Sequence, residues 1–167
     1  MTDLVSTYRT ALDGLARRVH GLGPGDWSAP TPCAAWDVRD VVNHVVGENL
    51  WAPELLAGRT IADVGDRLDG DLLGDDPPAT WDRSQLAAAD AASGVDLAST
   101  VHLSFGDVPA EEYLWQLTAD AAIHAWDLAR ASGQDERLDP GVVAAVAAWF
   151  DEREERYRSA GALGSAV

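Results

Sequence analysis

Lysine is absent from this chain: all 12 basic residues are arginine, against 28 acidic residues, for a formal net charge of −16. Nucleic acid and anionic membrane surfaces are therefore not expected partners, because both demand a basic footprint. The one cysteine, Cys33, leaves no pair for an internal disulfide and suits a reducing compartment. No run approaches the roughly 20 apolar residues that span a bilayer. The opening stretch Met1–Thr10 lacks the basic and apolar regions of a secretory signal, so a soluble cytoplasmic protein is expected. Also missing are a phosphate-binding glycine motif, a serine in a nucleophile elbow and a cysteine cluster for structural zinc. What the chain does have is 47% hydrophobic residues in regular helical periods, which predicts one globular domain over residues 1–167.

The first helix is expected over roughly 2–22, where Leu4, Tyr8, Leu12, Leu15 and Val19 recur at steps of three and four. Gly21, Gly23 and Gly25 around Pro24 stop it, and a loop runs on through Trp27, Pro30 and Pro32. Asp37 suits the cap of a second helix reaching about Gly58, with Val38, Val41, Val42, Val45, Val46 and Leu55 facing inward. Residues 62–81 are rich in aspartate and glycine and read as a solvated loop. A third helix follows over about 79–92, built on Leu86, Ala89 and nearby alanines, then a short extended segment over 100–105. Pro109 opens a fourth helix that ends before Gly133, and Asp139-Pro140 opens a fifth with Val143, Val146, Trp149 and Phe150 inward. Its end, 151–158, alternates in charge like a solvated face. The sum is an all-α, up-and-down four-helix bundle with an additional short helix and a short extended segment.

Asp120 and His124 stand one helical turn apart beside the core-facing stripe Leu117, Ala121, Leu128 and Ala131. A carboxylate there is costly unless paired or metal-bound, so two readings stand side by side. One is a hydrogen-bonded pair; the other is a metal site completed by His44, flanked by Val41 and Val45 on the second helix. Glu48, one turn beyond His44, is a rival or additional ligand. Asp127 either orients the His124 imidazole or pairs with Arg130. His20 suits a helix-end dipole contact beside Arg17 and Arg18, and His102 a substrate contact from the extended segment. Cys33 has no histidine near it in sequence and reads as a small buried hydrophobe rather than a nucleophile. Trp51 and Trp126 are candidates for a pocket wall, and Arg39 and Arg130 for clamps on a carboxylate-bearing substrate.

Two blocks carry a family resemblance: Trp27 with Pro30-Thr31-Pro32-Cys33, Trp36-Asp37-Val38-Arg39-Asp40 and Asn43-His44, then Asp120, His124, Trp126, Asp127, Leu128 and Ala129. They resemble the signatures of the mycothiol-dependent maleylpyruvate isomerase N-terminal family, part of the DinB-like metal-binding superfamily. The resemblance is that of a stand-alone, actinobacterial-type member, since the isomerase carries a further C-terminal domain. It implies a DinB-like bundle holding a divalent metal, usually zinc, on one histidine of the second helix and a carboxylate–histidine pair of a later one. Those positions correspond to His44, Asp120 and His124, with Asp120 standing where the isomerase has a glutamate.

The expected function is that of a divalent-metal-binding protein using a small-molecule thiol, such as mycothiol, toward an electrophilic substrate as an S-transferase or isomerase. A metal-dependent hydrolase and a non-catalytic metal-binding or stress-response protein are the alternatives. A homodimer is the assembly considered, because bundles of this size often hide an apolar helix face. No catalytic residue beyond the metal set is assigned by the sequence.

Overall fold

The computed structural model describes residues 3–159 and is an all-α, DinB-like four-helix bundle with a small β-hairpin. The first helix, α1 (Leu4–His20), buries the whole expected stripe of Leu4, Tyr8, Leu12, Leu15 and Val19. Asp3 caps it through the Ser6 N–H. The second, α2 (Val38–Leu56), starts with a capping box in which Asp37 and Asp40 each accept the other's backbone N–H. All six of its expected inward residues are buried.

A one-turn helix, α3 (Ile61–Val64), lies in the connection that composition marks as solvated. That connection is anchored rather than loose. Val64 and Leu73 are buried, and the Asn43 side chain both donates to Gly70 O and accepts from Leu72 N. Its apolar residues are too sparse to form a period, so their anchoring role left no pattern in the sequence.

The next helix, α4 (Pro77–Gly94), begins two residues earlier than expected, with Pro77 and Pro78 in the first turn and Asp76 as cap. Its buried stripe is Trp81, Ser84, Ala88 and Ala92, which turns Leu86 out to 61% exposure. The strands β1 (Thr100–Leu103) and β2 (Gly106–Pro109) pair antiparallel, Val101 opposite Val108. They lead into α5 (Ala110–Ser132), closed by Gly133 at φ 69°, the left-handed conformation that suits glycine.

On α6 (Pro140–Asp151) the buried residues are Val142 and Trp149, with Val146 partly buried. Trp149 and Val146 thus face inward as expected, whereas Val143 is 46% exposed, Val142 takes its place, and Phe150 is only half-buried. The final described helix is α7 (Glu154–Ser159).

Around the bundle α1 packs on α5 and α4, and α2 packs on α4 and α5. Consecutive helices α1 and α2 thus lie on a diagonal, which residues 21–37 must cross. This arrangement sets α2 beside α5 and brings the crossing loop to the same end of both. Among the described residues no helix is long and apolar enough to cross a membrane.

The charged stretch after α6 also departs from its expected role as a solvated face. Arg153 Nε donates to the buried Glu112 carboxylate at 2.8 Å, as do Tyr157 O–H at 2.9 Å and Trp149 Nε1 at 3.2 Å. Burial disfavours the Glu112 charge, but the bonds from Tyr157, Trp149 and Arg153 outweigh it and hold the carboxyl below its usual range. Glu112→Ala would strand the guanidinium and two other donors. A loss of about 3 kcal/mol is expected, or a fall of about 10 °C in thermal midpoint by circular dichroism. An unchanged midpoint would show that this cluster adds nothing to stability.

Candidate metal centre

The α2–α5 contact brings His44, Asp120 and His124 together. His44 Nε2 lies 3.2 and 3.3 Å from the two Asp120 carboxylate oxygens, and His124 Nε2 lies 3.3 Å from Asp120 Oδ1. Each of the three offers a donor atom within 4.8 Å of the others. Ligands held at about 2.0–2.1 Å in a tetrahedral zinc shell stand about 3.3 Å apart, close to the separations of each imidazole nitrogen from the Asp120 carboxylate. Glu48, the rival ligand, is not in this group.

Without metal, the cluster is a chain of charged hydrogen bonds. His124 uses both ring nitrogens: Nδ1 donates to Asp127 Oδ2 at 2.9 Å, and Nε2 forms an ion pair with Asp120 Oδ1 at 3.3 Å. Burial disfavours the His124 cation, yet the bonds to Asp120 and Asp127 raise its pKa to about 9. Burial likewise opposes the Asp120 charge, but the bonds from His124 and His44 hold its pKa at about 2. Glu48 is pushed up instead, by partial burial and by the Asp120 charge beside it.

Asp127 therefore orients His124; Arg130, the partner weighed against it, pairs with Glu136 and lies over the Trp126 ring. Cys33 is nearer the cluster than sequence neighbours suggest. Its Sγ is 3.4 Å from Asp127 Oδ2, and it forms with His124 and Asp127 a second group of closely placed donors. It is half-buried, not a core hydrophobe. Burial and the adjacent Asp127 carboxylate both push its thiol pKa up, which opposes thiolate formation.

Trp36, from the same loop, covers the two imidazoles with centroid separations of 4.9 Å to His44 and 6.0 Å to His124. The Cys33–Trp36 turn is closed by Trp36 N donating to Cys33 O at 2.8 Å and Thr31 Oγ1 donating to Trp36 O at 2.8 Å. Nothing periodic marks this loop. The Pro30–Asp37 backbone bridge and the adjoining Asp37 cap fix where it returns to α2, and of these only the cap is a sequence feature.

Beside Asp120 a cavity of about 320 Å³ opens between α2, α5 and the hairpin, with Glu48, Trp51, Tyr113, Gln116 and Phe105 on its wall. Trp51 takes its expected place, whereas Trp126 bonds to Glu136 away from the cavity. The other candidates are engaged elsewhere: His20 with Asp82 on α4, His102 with Asp107 across the hairpin, and Arg39 with Asp71.

The family model for the mycothiol maleylpyruvate isomerase N-terminal domain matches residues 8–129, which include all three donors of the cluster. Two uncharacterized proteins of Mycobacterium tuberculosis, one from strain CDC 1551 / Oshkosh and one from strain ATCC 25618 / H37Rv, are each 30% identical over 151 residues. The match covers 83% of this chain and 72% of each relative. No solved structure matches significantly. By the family model, which matches well over half of its length, the chain belongs to the mycothiol maleylpyruvate isomerase N-terminal domain family.

Proposed function

We propose that His44, Asp120 and His124 hold a divalent cation, most simply zinc, and that the protein uses a small-molecule thiol of the mycothiol type in S-transfer or isomerisation. The observation that carries this reading is the convergence of two imidazoles and one carboxylate at 3.2–3.3 Å. Such a donor set leaves coordination positions for an outside ligand. A bound divalent cation would supply the charge that keeps a thiol sulfur ionised at neutral pH.

The chain's own residues do the rest. Asp127 fixes the His124 tautomer by holding its Nδ1 proton, Trp36 shields both rings, and the cavity beside Asp120 receives the electrophile. A lone cysteine fits the reducing cytoplasm, where such a thiol remains available.

Glu48 supports a second reading. A half-buried carboxyl with a raised pKa on the cavity wall suits a general base, and a hydrolase would use it to take a proton from water. Titrating the cobalt-substituted protein with a small thiol separates the two. A sulfur-to-cobalt charge-transfer band is expected; an unchanged spectrum at saturating thiol would remove the thiol reading and leave the hydrolase.

Asp127→Asn is expected to weaken zinc binding 10- to 100-fold while leaving the three donors in place, because an orienting acceptor is typically worth that much. Competition against a zinc chelator measures it. Unaltered affinity would mean that Asp127 serves only the metal-free fold.

A further inference from the structure

We propose that Cys33, His124 Nδ1 and Asp127 form a second cation site, one that takes thiophilic divalent metals such as cadmium and silences the His44 set by claiming the ring they share. The site stands on its own donors; only its effect on the first set rests on the function proposed above.

The donors are already assembled. Asp127 Oδ2 lies 2.9 Å from His124 Nδ1 and 3.4 Å from Cys33 Sγ, and all three residues offer a donor atom within 4.8 Å of the others. Around a tetrahedral ion, oxygen and nitrogen donors stand about 3.3 Å apart and oxygen and thiolate sulfur about 3.6 Å, so both observed separations are close to those values. Cys33 is half-buried whereas His124 and Asp127 are buried, which makes the thiol the side from which an ion reaches them.

Charge favours a divalent cation. Asp127 is 3% exposed, and among the described residues its ion-pair partner is His124. As one such cation enters, the His124 Nδ1 proton and the Cys33 thiol proton leave, so the buried charge is unchanged.

Exclusion follows from the imidazole. A ring bound through Nε2 keeps its proton on Nδ1, where Asp127 accepts it; a ring bound through Nδ1 keeps it on Nε2, beside Asp120 Oδ1 at 3.3 Å. Metal on both nitrogens would demand an imidazolate, so one ion displaces the other. Softness sorts the ions. Two imidazoles and a carboxylate suit zinc without removal of a thiol proton, whereas a thiolate donor favours the softer cation.

Cadmium added to the zinc-loaded full chain, with no small thiol present, tests this. A sulfur-to-cadmium charge-transfer band in the ultraviolet should grow to one cadmium per chain while the zinc is released. Cys33→Ser should lose the band and keep its capacity for zinc; His44→Ala should lose zinc and keep the band. Asp127→Asn should weaken cadmium by at least the roughly tenfold that an orienting acceptor is worth. The proposal is overturned by no band in the parent protein, by a band that grows while zinc stays bound, or by unaltered cadmium affinity in Asp127→Asn, which would reduce Cys33 to a lone thiol. The two readings fail separately. A band in a protein that takes no zinc would sink the His44 set alone; zinc bound with no band would sink this site alone.

Discussion

Replacing His124 by alanine is expected to abolish stoichiometric zinc binding, from one ion per chain to none at micromolar metal. One of the three donors disappears, and the remaining His44 and Asp120 make a two-ligand set of the kind surfaces offer without specificity. The change also removes the cation shared by Asp120 and Asp127, leaving two part-buried or buried carboxylates without their common partner. Breaking such a buried pair costs about 3–5 kcal/mol, so His124→Ala is expected to melt well below the parent protein even without metal. His44→Ala keeps the His124 bonds to both aspartates and separates metal loss from misfolding. It should remain folded by circular dichroism and still bind no zinc. Full zinc stoichiometry in either folded variant would remove that histidine from the ligand set.

Zinc affinity is expected to rise about tenfold per pH unit from neutral pH to about pH 9 and then level off. The nitrogen that would face the metal carries a proton in the metal-free protein, because the His124 pKa is about 9. Metal must displace that proton, and each unit of pH lowers the competition. The stability of the metal-free protein moves the other way. The His124 pKa is raised from 6.5 to about 9 on folding, so its stabilising contribution is complete below pH 6.5 and is lost as pH rises through 9. Asp120 has the opposite sign: its pKa falls from 3.8 to about 2, and its contribution is present above pH 3.8 and lost as pH falls through 2. Thermal midpoints with and without zinc should therefore diverge between pH 6.5 and 9. Midpoints that run parallel over this range would mean that no His124 proton is exchanged for metal.

The parts of this molecule legible in its sequence are those set by local periodicity. The stripe from Leu4 to Val19, the Asp37 cap and the pairing of Asp120 with His124 follow from helical geometry alone. Which helix lies beside which does not. Because α1 and α2 sit on a diagonal, neighbours in sequence are not neighbours in the bundle, and the approach of His44 to Asp120 depends on packing that no short window records. Alanine blurs the periods further. Ala88 and Ala92 carry the buried face of α4, yet Leu86 dominates any hydrophobic count and points outward.

The polar contacts were least legible. Alternating charge after Asp151 looks like a solvated face until Arg153 and Tyr157 are seen to close on Glu112, 41 and 45 residues earlier. Cys33 and Trp36 reach the cluster from an aperiodic loop whose course depends on its own turn and on the Asp37 cap. In each case the signal lies in long-range complementarity of donor and acceptor, which a single chain's residue order does not encode locally.

The proposed cation shared by α2 and α5 is tested directly by anomalous diffraction at the zinc absorption edge from zinc-loaded crystals. A single peak within bonding distance of His44 Nε2, His124 Nε2 and an Asp120 oxygen is the predicted result. A peak on Cys33, His124 Nδ1 and Asp127 instead, or none between the two helices, would contradict it.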